Sequence, residues 1–233
     1  MKTVILHILC EGSSEERFVK TVLAPYLSQY GIYPKSVLLT TSRSKGAHGG
    51  MTCYAKAHND LALLIKQYRS GDNEVHLFTT MFDYYALPDD FPGFAEASGI
   101  RGIRERIACL EDAFLNDIGN RFFIPYIQLH EFESLLFSDI EKLAVEYPLA
   151  AGEIEKLKRS TDKYGDPEMI NNSPETAPSK RIIKALGNKY NYNKVKSGAA
   201  VTAAIGMDAI LSRCLHFREW VERIIQLAES LRA

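Results

Sequence analysis

The 233-residue sequence predicts an α/β fold: a mainly parallel sheet flanked by helices, with a C-terminal helical extension. Three observations predict it. Strand-like aliphatic runs alternate with amphipathic stretches through the first 137 residues, the pattern of β-α-β units. Beyond Ser138 the pattern turns helical and irregular, with no further strand. The chain is also 46% hydrophobic, and at this length it can build a core without disulfides or metal.

The elements follow in order. Residues 4–10 form a buried first strand ending at Glu11-Gly12. Ser13 and Glu16 stand at capping-box spacing and open a helix with Phe18, Val22, Leu23 and Tyr26 on its apolar face; Pro25 is expected to kink or end it. Residues 33–40 read as a second strand, 41–50 as a Ser/Gly/Lys loop, and 54–68 as a helix carrying Leu61, Leu64, Ile65 and Tyr68. The third strand, 75–82, ends at Asp83. A Pro-rich turn follows over 87–93, with Asp89 and Asp90 as turn residues, before a helix over 103–118 that turns Ile107, Leu110, Phe114 and Leu115 inward. Residues 122–129 form a fourth strand ending at His130-Glu131. Helices are then expected at 140–147, 153–159, 179–186 and 216–231. In the last of these, Trp220, Phe217 and Ile224 share a face that is core or a partner interface. Residues 1–137 are read as an α/β module and 138–233 as a helical extension packed on it, together one compact unit.

Composition excludes several classes. Lys and Arg number 28 against 29 Asp and Glu, which rules out a polycationic coat or an acidic tail. No apolar run approaches the roughly 20 residues of a membrane span. The opening MKTVILHILC reads as a buried first strand rather than a signal peptide: His7 interrupts a short apolar run, and Glu11, Glu15 and Glu16 follow where small residues should mark cleavage. Cys10, Cys53, Cys109 and Cys214 lie far apart, as reduced thiols in a cytoplasm do.

The acids carry the functional argument. Ligands of parallel α/β sheets bind beyond the carboxyl ends of the strands. Glu11, Asp83 and Glu131 each end a predicted strand; Glu15 lies one turn past Glu11, and Glu133 two residues past Glu131. Gathered carboxylates repel one another and call for a cation. Mg²⁺ (or Mn²⁺) suits this set as a hard ion that keeps waters for phosphates, and such sites cleave phosphodiesters. The plainer reading, acids favouring the next helix dipole, is the better one for Glu15 and Glu16 alone, but not for the trio. His130 is a candidate general base or water-orienting residue, against a structural histidine. In the loop over 43–50, Lys45 and His48 are phosphate-binding candidates, with a mobile connector as the plainer reading. The loop is not a Walker P-loop, because the Lys-Ser/Thr ending is missing, and no ATP hydrolysis is expected. Between Lys156 and Lys196, ten Lys/Arg face four acids, a surplus of six positive charges. Tyr164, Tyr190 and Tyr192 are interleaved, as suits nucleic acid. Lys180 and Arg181 follow a Pro-fixed turn and open a helix, so they are the phosphate-binding and transition-state candidates.

Glu11-Gly12-Ser13-Ser14-Glu15 after a first strand, then an Asp at a later strand end, resembles the topoisomerase–primase (Toprim) fold, in the variant of overcoming-lysogenization-defect (OLD) nucleases. Longer strings resemble the bacterial family catalogued as domain of unknown function 4276. They are residues 10–15, Thr80-Met81-Phe82-Asp83-Tyr84-Tyr85-Ala86-Leu87-Pro88, Phe91-Pro92-Gly93, residues 130–137 and Ala177-Pro178-Ser179-Lys180-Arg181. The resemblance implies a Toprim-like sheet in which Glu11 is the Toprim glutamate and Asp83 the first acid of an Asp-x-Asp pair. Tyr85 occupies the second acid's place, so Glu131 or Glu133 would supply the missing ligand. The resemblance also implies an ATPase partner and a phage-defence role.

The leading expectation is a Mg²⁺-dependent, nuclease-like phosphodiester-cleaving protein. Its catalytic set would be Glu11, Asp83, Glu131, His130 and Lys180, with Glu15 and Glu133 as further metal ligands. The rival is a non-catalytic sensor or regulatory subunit with a degenerate Toprim site. A phosphatase with Asp83 as covalent nucleophile is disfavoured, because its Asp-x-Asp-x-Thr motif is incomplete. DNA against RNA, and a monomer against a homo-oligomer, are left open.

Overall fold

The computed structural model describes residues 2–40, 51–171 and 174–232. Strand β1 (Thr3–Cys10) leads through helices α1 (Ser13–Phe18) and α2 (Ala24–Ser28) to β2 (Ile32–Leu38). Helix α3 (Tyr54–Gln67) leads to β3 (Glu74–Asp83), and α4 (Phe94–Ser98) and α5 (Ile103–Ile118) lead to β4 (Phe123–Ile124) and β5 (Ile127–Gln128). Two 3₁₀ segments follow, Phe132–Ser138 and Ile140–Val145. Helices α6 (Ala151–Thr161), α7 (Pro178–Tyr190), α8 (Lys194–Ile205), α9 (Met207–Arg213) and α10 (Leu215–Ser230) complete the order.

Among the described residues every strand pairing is parallel, in the order β2-β1-β3-β4, with β5 also on β3. The fold class is therefore the α/β one expected, a parallel sheet with helices on both faces. Alternation along the strands sorts side chains between two cores. Val4, Leu6 and Ile8 of β1 and Leu77 of β3 face Phe18, Val201, Phe217 and Ile224. Leu9 of β1 and Phe78 and Phe82 of β3 face Leu61 and Leu64 of α3 and Ile107, Leu110 and Phe114 of α5. Trp220 is core: it stacks on Tyr126 at 4.3 Å and donates to Thr79 Oγ1 at 2.9 Å.

Four local expectations are corrected. The fourth strand is split into β4 and β5 because Pro125 has no N–H for the ladder; beside the break, Thr80 Oγ1 accepts the Tyr126 N–H at 3.2 Å and donates to the Tyr126 carbonyl at 2.9 Å. The first helix is capped by Gly12, not Ser13, and Glu16 pairs instead with Lys20 at 2.6 Å. Pro25 does not end the helical path. A π turn over Val19–Leu23 precedes it and sets Pro25 in the first turn of α2, where no N–H is required. Residues 140–145 tighten into a 3₁₀ helix, since Pro148 keeps Tyr147 out of an α continuation. Helix α7 breaks at Gly187, whose φ of +61° suits glycine. Among the described residues no single helix is long and apolar enough to cross a membrane.

The Thr80 hydroxyl is a test of the split strand. Thr80→Val keeps the shape and removes both Tyr126 bonds. We expect a cost of about 1–3 kcal/mol, read as a thermal-melt decrease of several degrees; an unchanged melt would mean Tyr126 finds other partners.

Candidate active site

The chain leaves β1 towards β2 on one side, and β3 lies on the other, so the switch point of the sheet falls between β1 and β3. Cys10 is level with Met81, which brings Glu11 and Asp83 out together at the carboxyl edge. Glu11 Oε2 accepts the Asp83 N–H at 3.1 Å, and Asp83 Oδ1 accepts the Phe132 N–H at 2.9 Å. Glu131 and Glu133 arrive from the segment after β5. Glu131 is bound at both oxygens by Ser179 at the start of α7, by its N–H at 2.8 Å and its hydroxyl at 2.9 Å. Glu15 belongs to the same cluster: it is buried, and its charge raises the proton affinity of Glu11 and Asp83. It stands in the first turn of α1, where its charge favours the helix dipole.

One cation stands among these acids in the described structure. Lys194, at the start of α8, holds Nζ 3.3 Å from Glu131 Oε2 and 3.4 Å from Glu133 Oε1. The balance leaves excess negative charge. Burial, with Glu15 close by, pushes Glu11 up to about 7 despite the Asp83 amide. Burial, against the pull of Lys194, pushes Glu133 up to about 7. Burial also raises Glu15. Asp83 is raised well above its ordinary range, by burial and then by Glu15, Glu11, Glu133 and Glu131. Burial opposes the charge of Lys194, but Glu133, Glu131 and Asp83 together raise it.

The donor set is one a hard divalent cation takes, and Glu133 Oε1 is a buried oxygen with an ion pair but no hydrogen bond. Other oxygens are turned to backbone amides. Among the described residues no three His, Cys, Asp or Glu side chains already stand in a metal-holding arrangement.

The remaining candidates fall in different places. His130 is buried at φ +64°, with Nδ1 unbonded and its ring 5.4 Å from that of Tyr85. Burial lowers it to about 4, against the pull of Glu131. Lys180 and Arg181 line a cleft of about 510 Å³ with Lys156 and Lys184, between α6 and α7. Lys45 and His48 lie outside the described residues. Sequence reasoning missed Ser179 and Lys194. The signal for Lys194 was present: it follows Asn193, whose side chain caps α8 by accepting the Lys196 N–H, the same helix-opening logic that singled out Lys180.

A family model described as a domain of unknown function (DUF4276) matches residues 10–225. A solved structure, the C-terminal region of the Xanthomonas campestris pv. campestris OLD protein, aligns over 97% of this chain and 96% of that chain, with 15% identity and a TM-score of 0.40. No curated protein matches.

The raised acids predict a pH dependence. Between their ordinary value near 4.5 and the folded value of about 7, folded Glu11 and Glu133 hold protons that the unfolded chain releases. Stability without metal is therefore greatest at the acid end of that window and falls as pH rises through it. Thermal melts in EDTA from pH 5 to 8 should decline; a rise across that range would contradict the cluster's electrostatics.

Proposed function

The chain belongs to the DUF4276 family, and from that premise we propose that it is a Mg²⁺- or Mn²⁺-dependent enzyme that cleaves phosphodiesters of nucleic acid. The observation that carries this reading is the gathering of buried acids at the carboxyl edge of β1 and β3, with Glu11 on the Asp83 amide, Glu131 and Glu133 paired to Lys194, and Glu11, Glu15, Asp83 and Glu133 raised in proton affinity. Burial disfavours the charge of these carboxylates, with their mutual repulsion adding to it at Glu11, Asp83 and Glu133, and a bound divalent cation would offset that charge as a proton does.

Glu11, Asp83 and Glu133 would hold the ion, with Glu15 beside them. The ion would supply positive charge to the phosphate as negative charge builds on it. Glu131 is the positioning residue: tied to Ser179, it fixes the start of α7 and, with Glu133, sets the Lys194 ammonium at the cluster's edge. Lys194 would neutralise a phosphate oxygen there. His130, neutral at pH 7, is a weak base at about 4, so orienting a water suits it better than abstracting a proton. Lys180 and Arg181, with Lys156 and Lys184, would take neighbouring backbone phosphates in their cleft.

A second reading has its own observation. Tyr85 stands at the second acid's position with its ring against His130, which favours a regulatory subunit whose metal site has degenerated. The ATPase partner and defence role implied by the sequence resemblance accompany either reading.

Calorimetric titration of Mg²⁺ and Mn²⁺, with cleavage assays on single- and double-stranded DNA and RNA, separates the two. We expect metal uptake and cleavage, with Glu11→Gln and Asp83→Asn each lowering the rate about 100-fold or more. Unchanged cleavage in both variants would sink the assignment, and no uptake at millimolar metal would favour the regulatory reading. Lys194→Ala should lower kcat about 10- to 100-fold with a smaller effect on KM; a change in KM alone would assign it to binding.

A further inference from the structure

At the opposite end of the sheet, where loops enter the strands, a cavity of about 540 Å³ opens between α3 and α5. Its floor is Phe78 of β3, and its walls include Ile65, Tyr68, Ile118 and Phe122. The Tyr68 wall is braced from behind. Its ring stacks on His7 at 4.2 Å, and His7, itself buried, bonds His76 at 3.0 Å. The Phe122 wall is braced too: Asn120 Oδ1 accepts its N–H at 2.8 Å, and the Arg121 guanidinium lies 4.6 Å over its ring.

The mouth has the opposite character. Lys66, Arg69 and Arg121 are exposed there, and among the described residues the lining contains no Asp or Glu. Lys66 lies in the last turn of α3 and offsets that helix's carbonyl end. Arg69 and Arg121 lie beyond the helix ends, and no ion pair to either is found among the described residues.

We infer that this cavity binds a nucleotide, its base among Tyr68, Phe78 and Phe122 and its phosphate at Lys66, Arg69 and Arg121. The volume lies within the roughly 300–1,000 Å³ of small-molecule sites. Aromatic rings accept a base by stacking, and guanidinium groups pair with phosphate in bidentate fashion. Phe78 precedes Asp83 by five residues along β3, about 17 Å of extended strand, so the occupant is a ligand separate from any substrate at the acids. The site stands independently of the cleavage reading.

The test is calorimetry on the full chain in EDTA, which silences metal-dependent binding at the acids. The probes are AMP, GMP, adenosine and inorganic phosphate. We expect at least one nucleotide to bind about tenfold or more tighter than adenosine or inorganic phosphate. The double variant Arg69→Ala/Arg121→Ala should weaken it about tenfold or more, while Mg²⁺ uptake at the acid cluster, measured separately, stays as in the parent. No nucleotide binding at about 1 mM, equal binding of adenosine or phosphate, or an unaffected double variant would each overturn the inference. None of those results would bear on cleavage at the acids.

Discussion

The burial of several carboxylates at the carboxyl edge of the sheet is the constraint on which the rest of the structure depends. Isolated, such groups would each protonate or draw water in. Here they are held by backbone amides: Asp83 N–H on Glu11, Phe132 N–H on Asp83, and Ser179 N–H on Glu131. Those bonds tie β1, β3, the segment after β5 and α7 into one arrangement. What remains unbalanced is charge, which Lys194 meets in part.

The C-terminal helices accordingly do more than cover the sheet. Ser179 and Lys194 come from α7 and α8, so the acids of the first 137 residues are completed by groups from the remainder. The register of that packing is secured elsewhere. Glu168, wholly buried, accepts the His216 and Phe217 N–H groups at 2.7 and 3.2 Å and so anchors the start of α10. Glu168 also receives Gln128 of β5 at 3.3 Å. The last helix and the last strand therefore meet on one carboxylate.

Much of the fold was legible because period and punctuation are local properties. The buried runs at 4–10 and 75–82, the helix at Ile103–Ile118 and the Trp220 face follow from side chains whose neighbours in sequence decide their environment. The misreadings came where a backbone group's partner lies far away. Pro125 splits a strand whose apolar pattern is unbroken, and a Thr80 hydroxyl 46 residues distant takes up the loose Tyr126 amide. Pro25 reads as a kink or a stop, and the π turn before it, which sets it in a first turn, decides for the former. Lys180 and Lys194 looked alike in sequence; packing sent one to an exposed cleft and the other to the acids.

The sequence by itself determined the parallel α/β architecture and the meeting of Glu11 with Asp83, because strand period and strand ends are written in consecutive residues. Only the tertiary structure decided which cation meets those acids, that Glu131 spends its oxygens on Ser179, and that Tyr68, Phe78 and Phe122 wall a cavity with Arg69 and Arg121 at its mouth. Desolvation and ion pairing depend on distances between groups far apart in the chain, and folding alone sets those distances.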